Sequence, residues 1–111
     1  MPTKMSLIAL SRQELDQARS SRSGRSATTV YGGHERTLRQ TLSALRGGEL
    51  LEEHESPGES TLYVLSGRVR LISGDVEWSG MTGDLLVVPE ARHALAAEED
   101  SIVLLTVAKP R

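Results

Sequence analysis

GGELLEEHESPGESTLYVLSGRV, residues 47–69, reads as a strand, a turn carrying one histidine, and a second strand that stops at a glycine. The histidine is His54. Side chains two apart on a strand share a face, so a second imidazole at position 56 would make a pair fit to hold a metal. Position 56 is Ser56 instead. Three readings follow: a metal centre, a metal centre that has lost ligands, or a barrel that binds something else.

The same texture extends outward from this stretch. TTVYG, from Thr28, is short and β-branched, and RTLRQTLSAL alternates with Leu38, Gln40, Leu42 and Ala44 on one face. VEWSG follows a Gly74-Asp75 turn, and DLLVVP and SIVLLTVAK are continuous apolar runs expected of strands covered on both faces. Closely spaced turn signals between short strands point to an all-β sandwich or closed barrel. No helical pattern alternates with the strands, which disfavours a parallel α/β sheet.

Residues 1–27 read differently from residues 28–111, the barrel domain. Ser11 and Glu14 form a capping-box pattern, with Leu10 and Leu15 as a staple, so a short helix is expected over about residues 12–19. The Arg19–Thr29 stretch is Ser-, Gly- and Arg-rich and reads as a linker. Arg19, Arg22 and Arg25 suit a solvated loop better than a phosphate-binding arm, because no aromatic residue is interleaved for base stacking.

A chain of 111 residues forms one domain with one modest core. Aromatic residues are 3% and Phe is absent, so that core must rest on Leu, Val, Ile and Ala. Such a core gains from burial against a second copy, and a homodimer is expected. The net charge of −2 gives no pull toward nucleic acid or anionic membrane. There is no Cys, so any metal must be held by imidazole, carboxylate, hydroxyl or backbone oxygen. No apolar run approaches the roughly 20 residues of a membrane span, and the start lacks the long apolar region of a signal peptide. A cytoplasmic location is the expectation.

The order and spacing of these elements resemble the cupin family from about Val30 to Ala108. In the first cupin motif Gly48, His54, Ser56, Ser60 and Gly67 fall at the motif positions. In the second, Gly83, Pro89 and Ala91 match in order and His93 arrives one residue early. The resemblance implies a double-stranded β-helix, the jelly-roll barrel, preceded by a short N-terminal helix or arm. It implies a pocket at His54, Ser56, Ser60 and His93. In metal-binding cupins two His and a Glu from the first motif meet a His from the second; here only His54 and His93 remain, with Ser56 and Ser60 at the other two positions. A hydroxyl is a poor substitute for imidazole or carboxylate.

The expected cofactor is therefore none, or a weakly bound divalent Zn, Fe, Mn or Ni. Glu59 and Glu55 neighbour the expected ligand positions, but strand alternation turns each to the opposite face unless a bulge intervenes. His34 follows Gly-Gly and reads as a loop residue before a strand. No catalytic residue is identified: Ser56 and Ser60 near His54 lack a third group to orient the imidazole. Arg68 and Arg70 alternate with Val69 and Leu71 as an exposed strand face would. The leading reading is a small cupin that binds an unidentified small molecule beside a degenerate two-His site. The alternatives are a divalent-metal oxygenase or isomerase using His54 and His93, and a regulatory sensor or partner-binding module.

Overall fold

A computed structural model of the protein describes residues 4–54 and 58–109, and the side chains of 4–52 and 58–109. Helix α1 (Leu7–Ser20) precedes nine strands: β1 (Arg25–Tyr31), β2 (Leu38–Leu45), β3 (Leu50–His54), β4 (Glu59–Ser66), β5 (Arg68–Ser73), β6 (Val76–Met81), β7 (Leu85–Val88), β8 (His93–Ala97) and β9 (Ser101–Ala108). The strands form two antiparallel sheets, ordered β1-β2-β9-β4-β7 and β3-β8-β5-β6. This is the expected jelly roll with its N-terminal helix. Strands 3 and 4 lie in different sheets, so the 47–69 stretch is a crossing between layers and not a hairpin.

Four short turns fold one sheet over the other. They join β2 to β3, β4 to β5, β6 to β7 and β8 to β9 at one closed end of the barrel. Two of these crossings lock together. Gly67 has φ 105°, and an added Cβ there would collide with Ser101 Oγ and lie 2.6 Å from the Asp100 carbonyl oxygen. Only glycine meets both demands. The Ser101 hydroxyl, fully buried, accepts from the Arg68 N–H at 3.1 Å and reaches the Glu99 carbonyl at 2.7 Å.

Between the sheets lies an aliphatic core of Leu45, Leu62, Val64, Val69, Leu71, Val88, Leu95, Ala97 and Val103. It needs no Phe, because alternating strand residues from two facing sheets interdigitate at close packing. A second cluster lies on the outer face of the larger sheet. There Ala18 of α1 meets Leu42, Ala44 and Ile102, and its single methyl lets the helix approach closely.

The helix starts a turn earlier than its sequence signal. Ser6 is the N-cap, its hydroxyl accepting from the Ala9 N–H at 3.1 Å. Ser11 and Glu14 lie inside the helix and are buried. Glu14 serves tertiary structure instead: the Ser26 hydroxyl of β1 donates to its Oε1 at 2.6 Å. That contact also explains why β1 begins at Arg25, three residues before the β-branched run.

Asp100 ties the helix to the closed end. Its Oδ1 accepts from the Gly47 N–H and its Oδ2 from Arg19 Nε, each at 2.8 Å. The Gly47 hydrogen bond first, then the Arg19 guanidinium, hold this carboxyl below its ordinary value. A depressed carboxyl stabilises the fold above the unfolded-state value, and that contribution is lost as pH falls through the folded one. Asp100→Asn should cost about 1 kcal/mol at neutral pH, a figure reduced for solvent screening of a partly exposed pair. Urea unfolding should show the gap to wild type closing below pH about 3.9, the ordinary aspartate value. A gap that persists in acid contradicts this assignment.

Candidate functional site

The end opposite the locked turns is the open end, where β3 finishes and β8 begins. The register there places the Cα of His54 opposite that of His93. This pairing depends on an irregularity. Leu51 pairs with Leu95, then His54 with His93, so β3 carries one more residue than β8 over the interval. Such a bulge shifts the alternation by one. An unbulged β3 would put position 54 on the opposite face from Leu51.

His93 lies on the inner face. It alternates with Leu95 and Ala97, both members of the core, and is itself buried at 6% exposure. Its early arrival in the sequence is taken up in residues 89–92, before β8 starts. The ring is oriented by the backbone: Nδ1 lies 2.9 Å from the Ala91 carbonyl oxygen. A carbonyl can only accept, so Nδ1 carries the proton, and in the neutral ring Nε2 is the acceptor nitrogen. Ser73 at the end of β5 steadies the same loop, donating to the Arg92 carbonyl at 2.9 Å.

Ser60 projects from the facing sheet. It alternates with the core residues Leu62 and Val64 and is buried, while Glu59 beside it is exposed. Regular pairing of Glu59 with Ala108 and Ser60 with Val107 leaves no bulge to rotate Glu59 inward. His34 is exposed in the loop between β1 and β2. Glu55 and Ser56 lie outside the described residues, as does the side chain of His54.

Arg39 was not singled out by the sequence pattern. Reading β2 by its apolar alternation draws attention to Leu38, Gln40, Leu42 and Ala44, which face outward toward the helix layer. The other face is Arg39, Thr41, Ser43 and Leu45. Arg39 pairs with Val107, which pairs with Ser60, so all three share the inner face at the open end. The guanidinium residue is half-buried and forms no ion pair with a described residue. The signal for it was present: a charged residue on the face of β2 opposite to Leu38, Leu42 and Ala44. A groove of about 590 Å³ lies on the outer face of the larger sheet, where Glu59, Thr61, Val87, Thr106 and Ala108 share one side of the β4, β7 and β9 ladders, and neither Arg39 nor His93 lines it.

Arg70, by contrast, is engaged on the outer face of the smaller sheet by Glu98 and by Glu77, the latter at 2.9 Å. The Glu98 hydrogen bond leads in raising its guanidinium further above the ordinary value.

A divalent metal at the open end would draw on the His93 ring, the His54 position and the Ser60 hydroxyl. Among the described residues no three His, Asp or Glu side chains come together to hold a metal. Two neutral imidazoles and a hydroxyl fall short of the three protein ligands of even an open catalytic site. The described residues therefore do not fit a complete metal centre.

Solved structures place this architecture. A conserved Streptococcus pyogenes protein of unknown function is 27% identical, with 82% of this chain and 79% of that one covered at a TM-score of 0.72. A cupin superfamily protein from Desulfitobacterium hafniense is 19% identical, with 99% and 95% covered at 0.74. A salicylate 1,2-dioxygenase from Pseudaminobacter salicylatoxidans is 17% identical at 0.76, with 90% of this chain covered but only 33% of the dioxygenase. The fold is that of the cupin superfamily. No protein-family model matches the sequence, and no curated protein matches it. Among the described residues no helix is long and apolar enough to cross a membrane.

Proposed function

We propose that the protein binds a small molecule at the open end of the barrel, beside a two-histidine remnant of a metal site. The observation that carries the reading is the register pairing of His54 with His93, with His93 buried and facing inward. Residues in direct register share a sheet face, so position 54 belongs to the same sheet wall as His93, and Ser60 to the facing one.

The ligand set predicts weak metal binding. Wild-type protein should take up Zn or Ni weakly in calorimetry and lose it to mild chelation. Ser56→His with Ser60→Glu adds an imidazole and a carboxylate at the two missing positions. Affinity should then rise on the order of 10²-fold or more. Stoichiometric metal that survives chelation in the unmodified protein contradicts the reading and directs attention to Glu55, Glu59 and His34.

For assembly we propose a homodimer. Among the described residues β1 has no partner on its outer edge, and a strand edge left open invites pairing with another chain. Light scattering at micromolar concentration should give twice the mass of one chain. A monomer contradicts the assignment.

A further inference from the structure

We infer that a second copy of this chain docks on the bare half of the larger sheet's outer face, its helix α1 lying over β4 and β7. This deepens the homodimer reading above and rests on it. Outer positions alternate with the core residues Leu62, Val64 and Val88, so Thr61, Tyr63, Leu85 and Val87 point away from the barrel. Helix α1 packs on β1 and β2 and reaches β9. Beyond it Tyr63, Leu85 and Val87 are 40%, 62% and 77% exposed. Every residue of β7 is apolar, and β7 is an edge strand of the larger sheet. Edge strands are ordinarily guarded by charge, so an uncharged one with an exposed apolar face marks a surface that is covered.

Shape and charge identify what covers it. The outer face is a step, with a helix standing over one half and bare sheet in the other. Arg19 in the last turn of α1 bonds Asp100 at the closed end. The helix is about 20 Å long, so its first turn lies toward the open end. A two-fold axis along the strands, between two such faces, exchanges the halves, and each helix fills the other copy's bare half. An axis across the strands would set helix on helix instead. The first axis brings both open ends to the same side. Met5 and Ile8, 47% and 68% exposed around the helix start, then meet the groove of Thr61, Val87 and Ala108. The rim of that groove carries the exposed Glu59 and Glu90, while the exposed cations Lys4 and Arg12 flank Met5 and Ile8. Opposite charges therefore meet across the interface. Asp16 lies a turn nearer the closed end, away from that rim.

The chain has no cysteine, so single cysteines can map this contact. Full-length Ile8→Cys and Val87→Cys proteins are produced separately and co-expressed, oxidised, and run on non-reducing gels. Each variant alone should give little bridged product, because the two-fold keeps like positions apart. Co-expression should give mainly the mixed disulfide. Leu85→Glu with Val87→Glu, at exposed positions that leave the core intact, should keep the wild-type circular dichroism. In sedimentation it should raise the dimer dissociation constant about a hundredfold or more. A dimeric wild type that forms no mixed disulfide, or whose mass both glutamates leave unchanged, overturns this face and leaves the dimer to the β1 edge. A monomeric wild type overturns the homodimer reading with it.

Discussion

The closed end of the barrel depends on one contact that admits no side chain. Gly67 turns the chain from one sheet to the other in a left-handed conformation, pressed against Ser101 where the chain makes its return crossing. The Arg68 backbone is held from the start of β9 and from the turn before it, its N–H by Ser101 Oγ and its carbonyl by the Glu98 N–H at 2.8 Å. From this point the ladder of β5 with β8 runs in register, and that of β4 with β9 does so after one irregularity between Val64 and Ser66. The inner-face positions of β4, β5, β8 and β9 at the far end follow from those ladders.

The result is a mouth unlike the core below it. Beneath are Leu62, Val64, Leu71 and Leu95; at the rim are Ser60, Ser73, His93 and Arg39. A full set of imidazole and carboxylate ligands suits a divalent cation, and among the described residues that set is incomplete. The fold and the site are thus separable, as expected where one architecture carries many chemistries.

Much of this was legible in the sequence because glycine reports backbone constraint directly. Gly48, Gly67 and Gly83 all adopt positive φ, and their spacing carried the barrel. The inward direction of Ser60 and the outward direction of Glu59 followed from period-two alternation alone. Other features were hidden for physical reasons. The bulge in β3 leaves no residue signature, since Glu52 and Glu53 are ordinary strand residues; only the pairing with β8 reveals it. The helix start was displaced because Ser11 and Glu14 have the spacing of a cap but are buried by tertiary contacts, while the true cap at Ser6 lacks a reciprocal Glu. Arg39 escaped notice because the eye follows the apolar face of a strand, and here that face is covered by a helix while the polar face lines the barrel.

The central claim is that His54 and His93, 39 residues apart in the chain, oppose each other across two strands. The chain has no cysteine, so a cross-link can report this without interference. Directly paired antiparallel residues have Cα atoms about 4.5–5.5 Å apart, within the range a disulfide spans. Peptide mapping of oxidised His54→Cys/His93→Cys protein measures the pairing. An intrachain disulfide is expected in most molecules. Free thiols after mild oxidation, or bridges only between chains, would contradict it.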